Sequence, residues 1–180
     1  MTLRPLPLLA AAAVLAACGP PTHDAEVVPL DGAWVGGDVA DVVQAYDGAE
    51  QSDTCEASDP RSRSRMVSLR YRLPPEAYGT DGPVSVTQSV RSDCSGVVET
   101  VTTKWSASDG TSPGAARTVF ERVRSRVPAG AERMRQDDMA AFYGVPDAPA
   151  TVPVVEFVDP DGVRCVLEQS GGTTLTCGGE

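Results

Sequence analysis

Histidine is almost missing from this chain. Of 180 residues only His23 carries an imidazole, and it lies close to the N-terminus. A Ser–His–Asp or Cys–His catalytic set needs an imidazole as its base, so such a set is excluded from the rest of the sequence. Lysine is equally scarce: Lys104 stands alone, and a Ser–Lys pair would have to be built on it. Aromatic residues make up 5% of the chain and the formal net charge is −10. Few stacking rings and net acidity both argue against nucleic-acid binding. No Cys-x-x-Cys pair occurs, which argues against a zinc site or a redox dithiol. The glycine-rich nucleotide fingerprints G-x-G-x-x-G and G-x-x-x-x-G-K-[ST] are absent as well.

Hydrophobic residues nevertheless reach 41%, enough for a packed core rather than a disordered chain. The length fits one domain. The longest apolar run sits at the start. Arg4 provides a positive charge, and Leu6 to Ala17 is apolar apart from Pro7. A bilayer-spanning helix needs about 20 apolar residues, so this run has the size of a signal-peptide core instead. It ends Leu15-Ala16-Ala17-Cys18. This box resembles that of bacterial lipoprotein precursors. The resemblance covers these 18 residues only. It implies cleavage before Cys18 and a diacylglyceryl group on its sulfur, anchoring the chain to the outer face of the cell membrane. Residues 1–17 are then a signal peptide, 18–30 a lipidated flexible tether carrying His23, and 31–180 a single extracytoplasmic domain. Without residues 1–17 the charge becomes −11.

Four cysteines remain: Cys55, Cys94, Cys165 and Cys177. An even number outside the cytoplasm implies disulfides. Of the three possible connectivities, Cys55–Cys94 with Cys165–Cys177 is favoured. A hairpin turning at Ser170-Gly171-Gly172 sets Cys165 opposite Cys177.

Charge falls into three blocks. Residues 18–59 hold ten acids and no base, 60–135 thirteen bases and seven acids, 136–180 eight acids and one base. The block charges are −10, +6 and −7. Either the acidic ends fold against the basic middle, or the middle presents a patch to a charged partner.

Patterning gives an α+β chain of about six antiparallel strands, with two or three helices on one face; a β-sandwich with helical insertions is the alternative. The spacing of Val39, Val42, Val43 and Tyr46 predicts a helix capped by Asp38. Trp34 just before it is placed as a hydrophobic staple. Alternation predicts strands over 66–73, 84–90 and 97–105, with Trp105 on the Val97/Val101 core face. Ser112-Pro113 opens a second helix, with Ala116, Val119, Phe120, Val123 and Val127 as its apolar stripe. Asp137 or Asp138 caps a shorter helix through Tyr143. Strands over 152–158, 163–168 and 173–177 follow, the first two joined at Asp159-Pro-Asp-Gly162.

No constellation points to catalysis. With 25 acids some carboxylate pair is inevitable. Asp137-Asp138 reads as a helix cap, and Asp159/Asp161 as a turn rather than a calcium loop. The sequence thus leads to a membrane-anchored, extracytoplasmic, non-catalytic binding protein without cofactor or metal. Its candidate contact surface is Arg70 and Arg72 on a strand with Arg117, Arg122, Arg124 and Arg126 on the second helix. An acidic partner fits: phospholipid headgroups, an envelope polymer or a protein. The alternatives are a small envelope inhibitor or immunity lipoprotein and a carboxylate-based hydrolase.

Overall fold

The structure is a computed structural model that describes residues 23–24, 34–46, 49–59, 61, 63–107, 113–136, 151–169 and 172–179. Among the described residues nine strands form one sheet. They are β1 (His23–Asp24), β2 (Glu50–Asp53), β3 (Arg65–Leu73), β4 (Val84–Ser92), β5 (Val98–Ala107), β6 (Ala131–Gln136), β7 (Thr151–Val158), β8 (Arg164–Gln169) and β9 (Thr173–Gly178). Their order is β1-β3-β4-β5-β9-β8-β7-β6, with β2 also paired to β3. Only β1 pairs in parallel. Two α-helices, α1 (Val39–Ala45) and α2 (Pro113–Arg124), and a 3-10 turn over Pro75–Ala77 complete the described elements. No helix among the described residues is long and apolar enough to cross a membrane.

The α+β class holds, but about six strands becomes nine. All six expected strands are present within a residue or two of their expected ends. The additional strands β1, β2 and β6 are short or exposed along most of their length, so none has the apolar alternation that betrays a half-buried strand. Two residues of the expected tether belong to the sheet: His23 and Asp24 pair with Tyr71 and Arg72. A bare strand edge offers unpaired backbone groups, and β1 and β2 take the two halves of that edge on β3.

One face of the sheet is the core. Val67, Leu69, Tyr71 and Leu73 of β3 lie opposite Val90, Gln88, Val86 and Val84 of β4. The row continues through Val101, Thr103 and Trp105 of β5 to Cys177, Leu175 and Thr173 of β9. Helix α1 covers β3 and β4, and α2 covers β5, β8 and β9. Burying Val119, Phe120 and Val123 of α2 is worth roughly 1.5–3 kcal/mol each before ordering entropy is subtracted. The Asp38 carboxylate caps α1 by accepting from the Ala40 N–H at 2.8 Å.

Two side chains depart from the expected pattern. Val97 is exposed and Val98 buried. The pairing slips between Arg91 and Ser92, and this bulge reverses the parity of β5 before Val101. Trp34 packs against the core beside α1. Its ring meets Tyr46 edge-on at the far end of the helix, with centroids 6.3 Å apart. The short helix expected after Asp137 and the Ser112 cap lie outside the described residues.

Both favoured disulfides are formed, Cys55–Cys94 and Cys165–Cys177. The second joins residues directly opposed in β8 and β9. The first ties two loops, each organised by an aspartate. Asp53 accepts from the Cys55 N–H at 2.8 Å. Asp93 accepts from the N–H groups of Ser95 and Val97, each at 2.9 Å.

Candidate interaction surface

The sheet separates the six candidate arginines into two sets. Arg70 and Arg72 alternate with the core residues of β3, so they project from the face opposite both helices. Arg117, Arg122, Arg124 and Arg126 belong to α2 and the turn that ends it. The single surface expected from sequence therefore does not exist. A strand with a period of two sends its polar set away from whatever packs on its apolar set.

Ion pairs divide the cations further. Arg65 pairs with Asp53 and Arg70 with Glu50, joining the basic middle of the chain to its acidic beginning. Arg133 pairs with Glu156 and Arg135 with Glu168, joining it to the acidic end. Arg124 pairs with Glu132 inside the middle block. Four of these five pairs thus link blocks of opposite charge. All are substantially exposed, so each is worth at most about 1 kcal/mol. They engage two of the six candidates, Arg70 and Arg124, whereas Arg126 turns inward to Tyr78.

The inward turn builds a site. Pro74 and Pro75 end β3 and start a short 3-10 turn, Pro75–Ala77. Tyr78 follows and is 2% exposed. Gly79 then turns the chain with φ +67°, and a Cβ there would lie 4.0 Å from the γ-methyl of Thr118. This brings Tyr78 beneath α2. Its Oη accepts from Trp105 Nε1 at 2.9 Å and from Arg126 Nη1 at 3.4 Å. Burial pushes the phenol above the usual tyrosine range, although the Trp105 hydrogen bond and the charges of Arg126 and Arg122 pull the other way.

Above Tyr78 lies an open groove of about 470 Å³, lined by Tyr78, Arg117, Thr118, Glu121, Arg122 and Ser125. Residues 117, 121 and 125 form one helical row, and 118 and 122 the next. Arg117 and Arg122 are exposed and make no ion pair among the described residues. Glu121 shares the groove and subtracts one charge. The result is a shallow cationic groove with Tyr78 in its lining. Tyr78 was not among the expected site residues. Its only sequence signal is an aromatic residue just after a Pro-Pro strand stop, which does not say that the ring will lie under a helix.

The opposite face of the sheet is rich in hydroxyls. Ser68, Ser89, Thr102 and Thr176 stand side by side across β3, β4, β5 and β9. The adjacent row runs Arg70, Thr87, Lys104, Thr174 and Glu168. Lys104 is exposed on this face, and its row neighbours Thr87 and Thr174 present hydroxyls rather than a base.

The Asp159 carboxylate serves its turn, accepting from the N–H groups of Asp161 at 3.0 Å and Val163 at 2.8 Å. Among the described residues no group of three or more His, Cys, Asp or Glu side chains is placed to hold a metal ion. Cys18 lies outside the described residues. No protein-family model matches the chain, and neither curated proteins nor solved structures provide a match.

Proposed function

We propose that this chain is a lipid-anchored extracytoplasmic protein that binds an acidic partner without catalysis, and that α2 carries the contact surface. The observation behind this reading is the division of the arginines. Four ion pairs link the basic middle block to the acidic flanks, while Arg117 and Arg122 remain as exposed cations at one groove. Exposed like charges at a groove attract and orient an oppositely charged partner. Arg70 and Arg124 are set aside, because each already has a carboxylate. The anchor rests on the Leu15-Ala16-Ala17-Cys18 box, since two acyl chains hold a protein at a membrane stably where one does not.

The test has two arms in cells that express the full chain. Replacing Cys18→Ser releases the protein from the membrane fraction; retention there refutes the anchor. Photo-crosslinking from residue 121 captures a partner from the envelope, and Arg117→Glu with Arg122→Glu abolishes that adduct. An adduct that survives both reversals refutes α2 as the contact surface.

A further inference from the structure

We propose that the α2 groove is an oxyanion subsite for a phosphoryl group, with the Tyr78 O–H as its buried donor and Arg117 and Arg122 as its outer donors. The proposal rests on the reading of α2 as the contact surface and gives that surface a ligand chemistry.

Tyr78 Oη receives two hydrogen bonds, from the Trp105 indole and the Arg126 guanidinium. Both partners are donors only. They occupy the oxygen's acceptor positions, and the phenol's own hydrogen has no acceptor among the described residues. A hydroxyl with 2% of its residue exposed is seldom left without an acceptor, because burying an unmet donor carries a desolvation cost. Tyr78 is among the residues that line the groove, and an acceptor entering there is the proposed partner of its hydroxyl hydrogen. Two donors into Oη also polarise the O–H bond and make it a stronger donor.

The remaining features select the acceptor. Arg117 and Arg122 flank the opening, and guanidinium groups present forked donors that match oxyanion geometry. Donors come from the floor and from two places on the helix. A phosphoryl group has acceptor oxygens in several directions, whereas a carboxylate has two in one plane. Glu121 on the same groove lowers its positive charge, which suits the single charge of a phosphodiester better than a dianion. The groove, at about 470 Å³ and open, exceeds one phosphate and leaves room for the groups esterified to it. Such a diester occurs in a phospholipid headgroup and in a polyol-phosphate polymer alike.

The Trp105 indole reports on the site, since its N–H bonds to the same oxygen. Full-length, 15N-labelled protein in neutral detergent micelles gives two indole signals, and Trp34→Phe assigns them. Titration with glycerophosphoglycerol is expected to shift the Trp105 signal saturably, with a Kd of roughly millimolar order for so small a probe. Arg117→Gln with Arg122→Gln weakens binding about tenfold or more, as loss of two charge-assisted contacts requires. Tyr78→Phe abolishes the saturable shift, and its own fold is verified by circular dichroism. Co-sedimentation with phosphatidylglycerol vesicles assigns the diester to lipid. Binding of the soluble probe without co-sedimentation assigns it to a polymer or free phosphodiester. No Trp105 shift, an equal shift with acetate, or unchanged affinity in the double glutamine variant overturns the proposal. If any of these occurs while the Arg→Glu reversals still abolish envelope capture, α2 remains the contact surface and only the phosphoryl assignment falls.

Discussion

Removing one oxygen tests the floor of the site. In Tyr78→Phe the ring stays, but Trp105 Nε1 loses its acceptor at 2.9 Å. Trp105 is 1% exposed, so no water replaces that acceptor, and a stranded buried donor costs about 1–3 kcal/mol. Arg126 is only half-buried and its guanidinium regains water, adding little. The phenolic hydrogen that lacked an acceptor disappears too, which returns part of the cost. A net loss of about 1–2 kcal/mol follows, or a fall in melting temperature of roughly 3–6 °C for a chain of this size. Urea unfolding followed by far-ultraviolet circular dichroism measures it. A cycle with Trp105→Phe isolates the pair. Trp105→Phe alone is costly because it leaves a cavity in the core, but in that background no indole N–H remains to be stranded. Tyr78→Phe then costs nothing or stabilises slightly, giving a coupling of about 1 kcal/mol or more. Strict additivity of the two substitutions refutes the hydrogen-bonded pair. Alkali adds a check on sign. Burial raises the phenol's pKa in the folded state, so above a pH of about 10 the unfolded chain sheds this proton first. The contribution is complete below that pH and is lost as pH climbs through the folded-state value. Tyr78→Phe makes the alkaline decline shallower.

Three further outcomes are expected. At Gly130 an added Cβ would sit 2.8 Å from the Cβ of Phe157 and closer still to the Glu156 carbonyl, so Gly130→Ala costs upwards of about 2 kcal/mol in urea unfolding; a change below half of that refutes the close approach of β6 to β7. Asp53 and Asp93 are held below the usual carboxylate range, the first mainly by the Cys55 N–H and the second mainly by the Ser95 hydroxyl. Lowered values stabilise above the ordinary pKa near about 4 and lose that support as pH falls through the folded-state value, so Asp53→Asn with Asp93→Asn flattens the acid limb of the stability profile. Arg133→Glu, facing Glu156 across 2.6 Å, costs less than about 1 kcal/mol at low salt and is restored by Glu156→Arg; the effect fades in roughly 1 M sodium chloride.

Alternation and spacing made most of the sheet legible. In β3 every second residue from Val67 to Leu73 is buried, and the sequence carries that pattern openly. The bond between Cys165 and Cys177 follows from a turn and a count of residues along two strands. The failures are local and physical. Ala131–Gln136 is exposed almost throughout, so its strand character comes from pairing with β7 and leaves no trace in hydrophobicity. Val97 and Val98 are adjacent and chemically identical, and only the slipped pairing at Arg91 and Ser92 decides which of them faces inward. Trp34 could be assigned to α1, but not to the end of it where Tyr46 sits.

The arginines show the same limit at the level of function. Block charges of −10, +6 and −7 fit an internally compensated fold and a ligand patch equally well, since a sum along the chain holds no information about faces. The sheet supplies what the sum lacks. It carries Arg70 beside Glu50 and Arg135 beside Glu168, and it stands between Arg72 and α2. Compensation thus engages Arg65, Arg70, Arg133 and Arg135, each on a strand with an acid of the sheet within reach of its long side chain. On α2, Arg124 meets the carboxylate of Glu132. Arg117 and Arg122 line the groove and meet no carboxylate in an ion pair among the described residues. An acid introduced above them behaves like a bound ligand: Ser125→Glu, one row position beyond Glu121, is expected to suppress phosphodiester binding while leaving the stability in urea within about 0.5 kcal/mol of the parent. Retained binding would mean that the groove's charge does not govern what enters it.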